Sequence, residues 1–132
     1  MNFIKIKNLS NVDLNDLYKE VKTENPDKIG CVVSFIGIVR ENTCGRITKE
    51  LHWGLFGNTE DELRKIADTE SKRDGILNIL ICHNTDDLKA REPVVYILIA
   101  AEHRKEGFEA LMNIIDRIKS EVHVDMVENN FK

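Results

Sequence analysis

No stretch of these 132 residues stays apolar for the ~18 to 20 positions that a bilayer-crossing helix needs, so a membrane-spanning helix is not expected. The opening Met1-Asn2-Phe3-Ile4-Lys5 lacks the pattern of a secretory leader, and a cytoplasmic protein is expected. Positive charge is scarce too. Nineteen Lys and Arg stand against 23 Asp and Glu, a formal net charge of −4, which argues against a nucleic-acid or membrane-surface binder because both need a broad basic face. Any anion has to be met locally. The three cysteines, Cys31, Cys44 and Cys82, have no C-x-x-C spacing and suggest neither a disulfide framework nor a zinc knuckle. His52, His103 and His123 show no ligand spacing, and Cys82 and His83, adjacent on a strand, point to opposite faces. A glycine-rich phosphate loop and a G-x-S-x-G elbow are missing as well. No metal or cofactor is expected.

What is present is 42% hydrophobic and 32% charged residues, enough for one core and too few for two, so a single domain over residues 1–132 is expected. Phe3 to Lys7 alternates apolar and charged residues and predicts a half-exposed first strand. Ser10 or Asn11 can cap a helix running to about Thr23, with Pro26 beyond its end. The nearly unbroken apolar run Ile29 to Val39 predicts a strand covered on both faces, the central one of the sheet. Arg40 to Lys49 reads as an exposed loop leading to a strand at about Ile47 to Phe56. Thr59-Glu60-Asp61-Glu62 matches a capping box for a helix ending near Asp74-Gly75. Strands are predicted at Ile76 to His83 and Val94 to Ala101, joined by a polar segment from Asn84 to Glu92. A helix from about Lys105 to Val122 follows, with a possible short strand at His123 to Val127. The order predicts an α+β fold, a mixed and largely antiparallel sheet covered by about three helices.

Three places look site-like. His103-Arg104 sits where a strand turns into a helix, and a helix N-terminus offers unpaired N–H groups and partial positive charge to a phosphate or carboxylate. Arg40 ends the long apolar strand beside a loop; Gly37 ahead of it reads equally as a close approach or a β-bulge. On the last helix, Phe108, Leu111, Met112, Ile115, Ile118 and Val122 form one stripe at ~100° per residue, and Lys119 falls inside it, between Met112 and Ile115. An ammonium against apolar neighbours loses solvation and reaches its neutral form more easily. The plainer reading is a lysine that lays its methylenes on the stripe and lifts its charge into water.

The run Gly30-Cys31-Val32-Val33-Ser34-Phe35-Ile36-Gly37-Ile38-Val39-Arg40, the strand ending in His103-Arg104, and Phe108-Glu109-Ala110 with a helix reaching Ile118-Lys119 together resemble the large, catalytic subunit of molybdopterin synthase. The resemblance implies an α/β-hammerhead type of fold and a homodimer, the core of a heterotetramer with a ubiquitin-like small subunit at each end. It implies that the partner's C-terminal Gly-Gly thiocarboxylate gives sulfur to cyclic pyranopterin monophosphate to form the dithiolene of molybdopterin. It further implies that Lys119 is catalytic and that Arg40, His103 and Arg104 hold the anionic substrate. Ile38 and Val39 before Arg40, and Met126, Val127 and Glu128 after the helix, are then further substrate contacts. Two positions depart from the family, whose lysines are replaced by Ile38 and Met126, and His-Arg-x-Gly appears as His83-Asn84-Thr85-Asp86. A non-catalytic relative that keeps the dimer as a carrier-binding or anion-binding module is the alternative.

One geometric condition applies. Arg104 and Lys119 lie 15 residues apart, ~22 Å along a helix at 1.5 Å per residue, so one small substrate can touch both only if they come from two protomers across a two-fold interface.

Overall fold

The computed structural model describes residues 1–43, 45–52, 58–85, 87–123 and 127–131. A four-stranded sheet forms the centre, built from β1 (Asn2–Ile6), β2 (Cys31–Ile38), β5 (Ile76–His83) and β7 (Pro93–Ala101) in the order β1-β5-β7-β2. β1 runs parallel to β5, while β5–β7 and β7–β2 are antiparallel. A second sheet joins β3 (Asn42–Thr43), β4 (Arg46–His52), β6 (Asp87–Lys89) and β8 (Val127–Phe131), with β4 pairing all three others. The mixed α+β architecture, with three α-helices among the described residues, is the expected one.

Period-two alternation sorts the central sheet into two apolar layers. Leu80, Cys82, Leu98 and Ala100 face α1 (Leu14–Val21), which contributes Leu17 and Val21. Ile79, Ile81, Ile97 and Ile99 face α2 (Thr59–Ser71) and α3 (Arg104–Arg117), which bring Leu63, Ile66, Ala110 and Ile114. Because β5 and β7 are covered on both faces, they are the central strands. The run at β2 has a different cause from the one its composition suggests. Among the described residues β2 pairs only with β7 and lies at the sheet edge; Val33 and Phe35 pack beneath α3, while Ile36 and Ile38 are exposed.

Local chemistry also moves several boundaries. Asp13, not Ser10 or Asn11, caps α1 by accepting from the Asn15 backbone N–H at 2.8 Å, because Asn8 engages both the N–H and the hydroxyl of Ser10. The capping box at Thr59 does not form. Asn58 is the capping residue, and its amide donates to Glu62 at 2.7 Å, occupying the carboxylate that the box needs. The expected loop after Arg40 is partly a hairpin, β3–β4, that turns at Gly45 with φ +83°. Backbone pairing with β4 likewise turns part of the polar Asn84–Glu92 segment into β6 and moves the last strand to Val127–Phe131. Cys44 lies outside the described residues.

Candidate functional site

α3 begins at Arg104 and ends at Arg117, where the helix widens into a π-helical turn, Ile118–Val122. π-helical turns are rare, and here the turn closes the C-terminal end of the helix. This one carries Lys119. The helix face buried against the sheet is Gly107, Ala110, Leu111 and Ile114, continued by Ile118 and Val122. Phe108 and Met112, expected in the buried stripe, are 56% and 57% exposed. They form, with half-buried Ile115, an apolar line along the outer flank of α3 that ends at Lys119, itself exposed in the single chain. The ammonium is thus not enclosed by its own helix stripe.

A cavity of about 560 Å³ opens where that line meets the end of β2 and the start of β7. Its walls are mainly apolar, including Phe35, Ile36, Val95 and Ile115, and Arg40, Lys119 and His123 also line it. Gly37 belongs to the wall for a steric reason: a Cβ there would meet Phe35 Cε1 at 3.1 Å and Val95 Cγ1 at 3.3 Å. The β2–β7 register also shifts between Gly37 and Ile38, the bulge that was one of two readings of this glycine. Two other arginines are satisfied internally, Arg91 by Glu41 at 2.8 Å and Arg117 by Glu121 at 2.5 Å. Among the described residues neither Arg40 nor Lys119 makes an ion pair. Two cations on an apolar wall suit an anionic ligand whose remaining surface is apolar or planar.

The expected site residues therefore divide. Ile38, Arg40 and Lys119 converge on the cavity. Val39 does not line it; the side chain is 3% exposed and the backbone exchanges hydrogen bonds with Glu92 and Arg91, which ties down the end of β2. His103 and Arg104 sit exposed at the opposite end of α3, with His103 as its capping residue and no side-chain hydrogen bond to the helix. Val127 and Glu128 are placed in β8 opposite His52 and Leu51. Met126 lies outside the described residues.

His83 and His123 are the residues that spacing did not reveal. Their Nε2 atoms are 2.7 Å apart with rings edge to face, and His83 Nδ1 lies 2.8 Å from the Asn84 carbonyl. Burial pushes the His83 pKa below the ordinary imidazole value. Burial, with the nearby charges of His83 and Lys119, pushes His123 down to about 3. The usable signal was the alternation of β5: Ile79, Ile81 and His83 share one face, the face on which the last helix packs.

The MoaE family model, described as "MoaE protein", matches residues 8–121. The chain belongs to the MoaE family. A molybdopterin synthase catalytic subunit from Ralstonia nicotianae is 35% identical over 95 residues, 71% of this chain and 54% of that protein, so the match spans about half the relative's length. One from Thermoplasma volcanium is 31% identical over 121 residues, covering 89% of this chain and 88% of the relative. The solved MoaE structure from Burkholderia ambifaria superposes with a TM-score of 0.79 at 29% identity, over 92% of this chain and 79% of that one. The two-sheet, three-helix arrangement is thus a MoaE fold, and the cavity is built from the segments through which the sequence resembled that family.

Proposed function

We propose that this chain is the catalytic subunit of a molybdopterin synthase. It moves sulfur from the C-terminal Gly-Gly thiocarboxylates of two small ubiquitin-like carriers, one atom from each, to cyclic pyranopterin monophosphate, forming the dithiolene of molybdopterin and leaving each carrier as its carboxylate. The observation that carries the reading is the meeting of Arg40 and Lys119 on one mainly apolar cavity. Both reactants are anions, and bringing them together requires cations where water is partly excluded. Arg40 offers a planar fork to a phosphate or carboxylate. Lys119 stands at the acyl group of the carrier tail, stabilising charge there and assisting proton transfer.

His103 and Arg104 complete the site from a second copy of the chain. They lie a helix length from Lys119 in one protomer, and the exposed Phe108 and Met112 give a second copy apolar surface to cover. Incubating the purified chain with thiocarboxylated carrier and the pyranopterin precursor, then assaying dithiolene product, tests the function. Lys119→Ala is expected to abolish transfer; full transfer by that variant refutes the role of the amine. One observation favours a second reading: at the cavity, where the family resemblance suggests a lysine, stands Ile38, 60% exposed. Carrier binding without turnover in the same assay would make the chain a docking module.

A further inference from the structure

The bond between His83 and His123 has one polarity. A carbonyl oxygen only accepts, so at 2.8 Å from the Asn84 carbonyl His83 Nδ1 carries the hydrogen. In the neutral ring, Nε2 of His83 is then an acceptor. At 2.7 Å the Nε2 of His123 has to donate, and its own Nδ1 is the deprotonated nitrogen. The low proton affinity of both buried rings preserves this arrangement at neutral pH.

The two rings also join two different pieces of structure. His83 ends β5 with no exposed surface, held by the sheet on one side and by Asn84 on the other. His123 directly follows the π-helical turn, and its backbone N–H reaches the Ile118 carbonyl at 3.0 Å, the five-residue bond that defines the turn. Lys119 lies inside that closed loop. Ile118 is still α-helical at φ −60° and ψ −45°, so the wider geometry lies between Lys119 and His123; rewinding it to ordinary 3.6-residue turns would shift His123 and change the backbone that carries the Lys119 side chain. The imidazole pair is an anchor on this side.

We propose that His83 and His123 form a latch that holds the π-helical turn open and so aims the Lys119 amine into the cavity. His83 is a positioning residue that acts through His123. The inference rests on the synthase reading only for what the amine then does.

Two measurements test the latch without turnover. In ¹⁵N spectra of the full chain with labelled histidine, His83 is expected as the Nδ1–H tautomer and His123 as Nε2–H at neutral pH. Matching tautomers on the two rings, or an imidazolium on either, overturn the proposal. The second is limited acetylation with acetic anhydride, read by mass spectrometry as the ratio of Lys119 to Lys105, an exposed lysine in the first turn of α3. His123→Leu is expected to change the ratio by about threefold or more, the size of one ordinary hydrogen bond, and His123→Gln, which keeps an N–H at similar reach, to restore it. An unchanged ratio in His123→Leu overturns the latch. In the sulfur-transfer assay His123→Leu is expected to lower kcat with little change in KM for the carrier, and the reverse pattern counts against an aiming role. A wild-type chain without turnover removes the synthase reading and leaves the first two measurements decisive for the latch.

Discussion

Gly30 is exposed, and a surface view of the protein would let it become alanine without consequence. The geometry disagrees. A Cβ at this position would stand 2.1 Å from the Glu102 carbonyl oxygen, where real contacts essentially never fall below 3.0 Å. Neither strand end can retreat freely, because Gly30 N–H donates to Ala101 O at 2.9 Å and Glu102 N–H donates to Gly75 O at 2.8 Å. Opening the gap by about 1 Å breaks at least one of these bonds and strains the other. Overpacking of this kind with one lost hydrogen bond costs about 3 kcal/mol. For a chain of this size that is a fall in Tm of roughly 10 °C. Gly107→Ala supplies the contrast: its Cβ would meet Ala101 and Val33 side chains at 3.4 to 3.5 Å, ordinary contact, and alanine in a helix interior gains about 0.5 to 1 kcal/mol. Calorimetry and urea unfolding of both variants decide the matter. Equal Tm values for Gly30→Ala and the wild type would refute the argument, and so would a comparable loss in Gly107→Ala. Because Glu102 adjoins His103 and Arg104, the alanine at 30 is also expected to weaken substrate binding in whatever fraction remains folded.

Three further outcomes are expected. Mixing Lys119→Ala with Arg104→Ala chains should restore about a quarter of wild-type sites, since half the dimers are mixed and each carries one intact site; no recovery after subunit exchange would place both residues' functions in one protomer. Asn78, fully buried, donates to the Val21 and Glu24 carbonyls at 2.9 and 2.6 Å and ties the end of α1 to the sheet, so Asn78→Ala should cost about 2 kcal/mol in urea unfolding. His83 and His123 have folded pKa values below the unfolded imidazole value, so the unfolded chain binds more protons; stability is complete above about pH 6.5 and is lost as pH falls toward the folded values, about 3 for His123. His123→Gln should flatten that acid limb, and an unchanged slope would show that the ring does not titrate on unfolding.

Much of the fold was legible because its signals are local. β5 and β7 are bounded where their β-branched runs begin and end, and α2 and α3 start within a residue or two of their expected positions. Edge or centre was not legible for β2, since an apolar run looks the same whether helices cover it or a cavity wall requires it. Phe108 and Met112 failed for the same reason: helical periodicity shows that residues share a side, not that this side is covered by the same chain. At the site, Arg40 and Lys119 stood out as charges ending apolar segments, and both reach the cavity. His83 and His123 were hidden because each looks ordinary in its own element, and only packing α3 onto β5 brings them together.

The edge strand has a consequence for how the protein is made. Cys31 to Gly37 find their partners at Val95 to Ala101, so β2 leaves the ribosome some 70 residues before the strand it bonds to, Cys31 to Ala101 being the extreme. At ~5 to 20 residues per second that is a wait of roughly 4 to 14 s with an unbonded, oily segment in water. The walls of the cavity come from both ends of that interval, so no nascent fragment short of the π-helical turn holds a site. Slow synthesis at low chaperone capacity should therefore lower the yield of native chain more than it would for a protein whose neighbouring strands are neighbours in sequence.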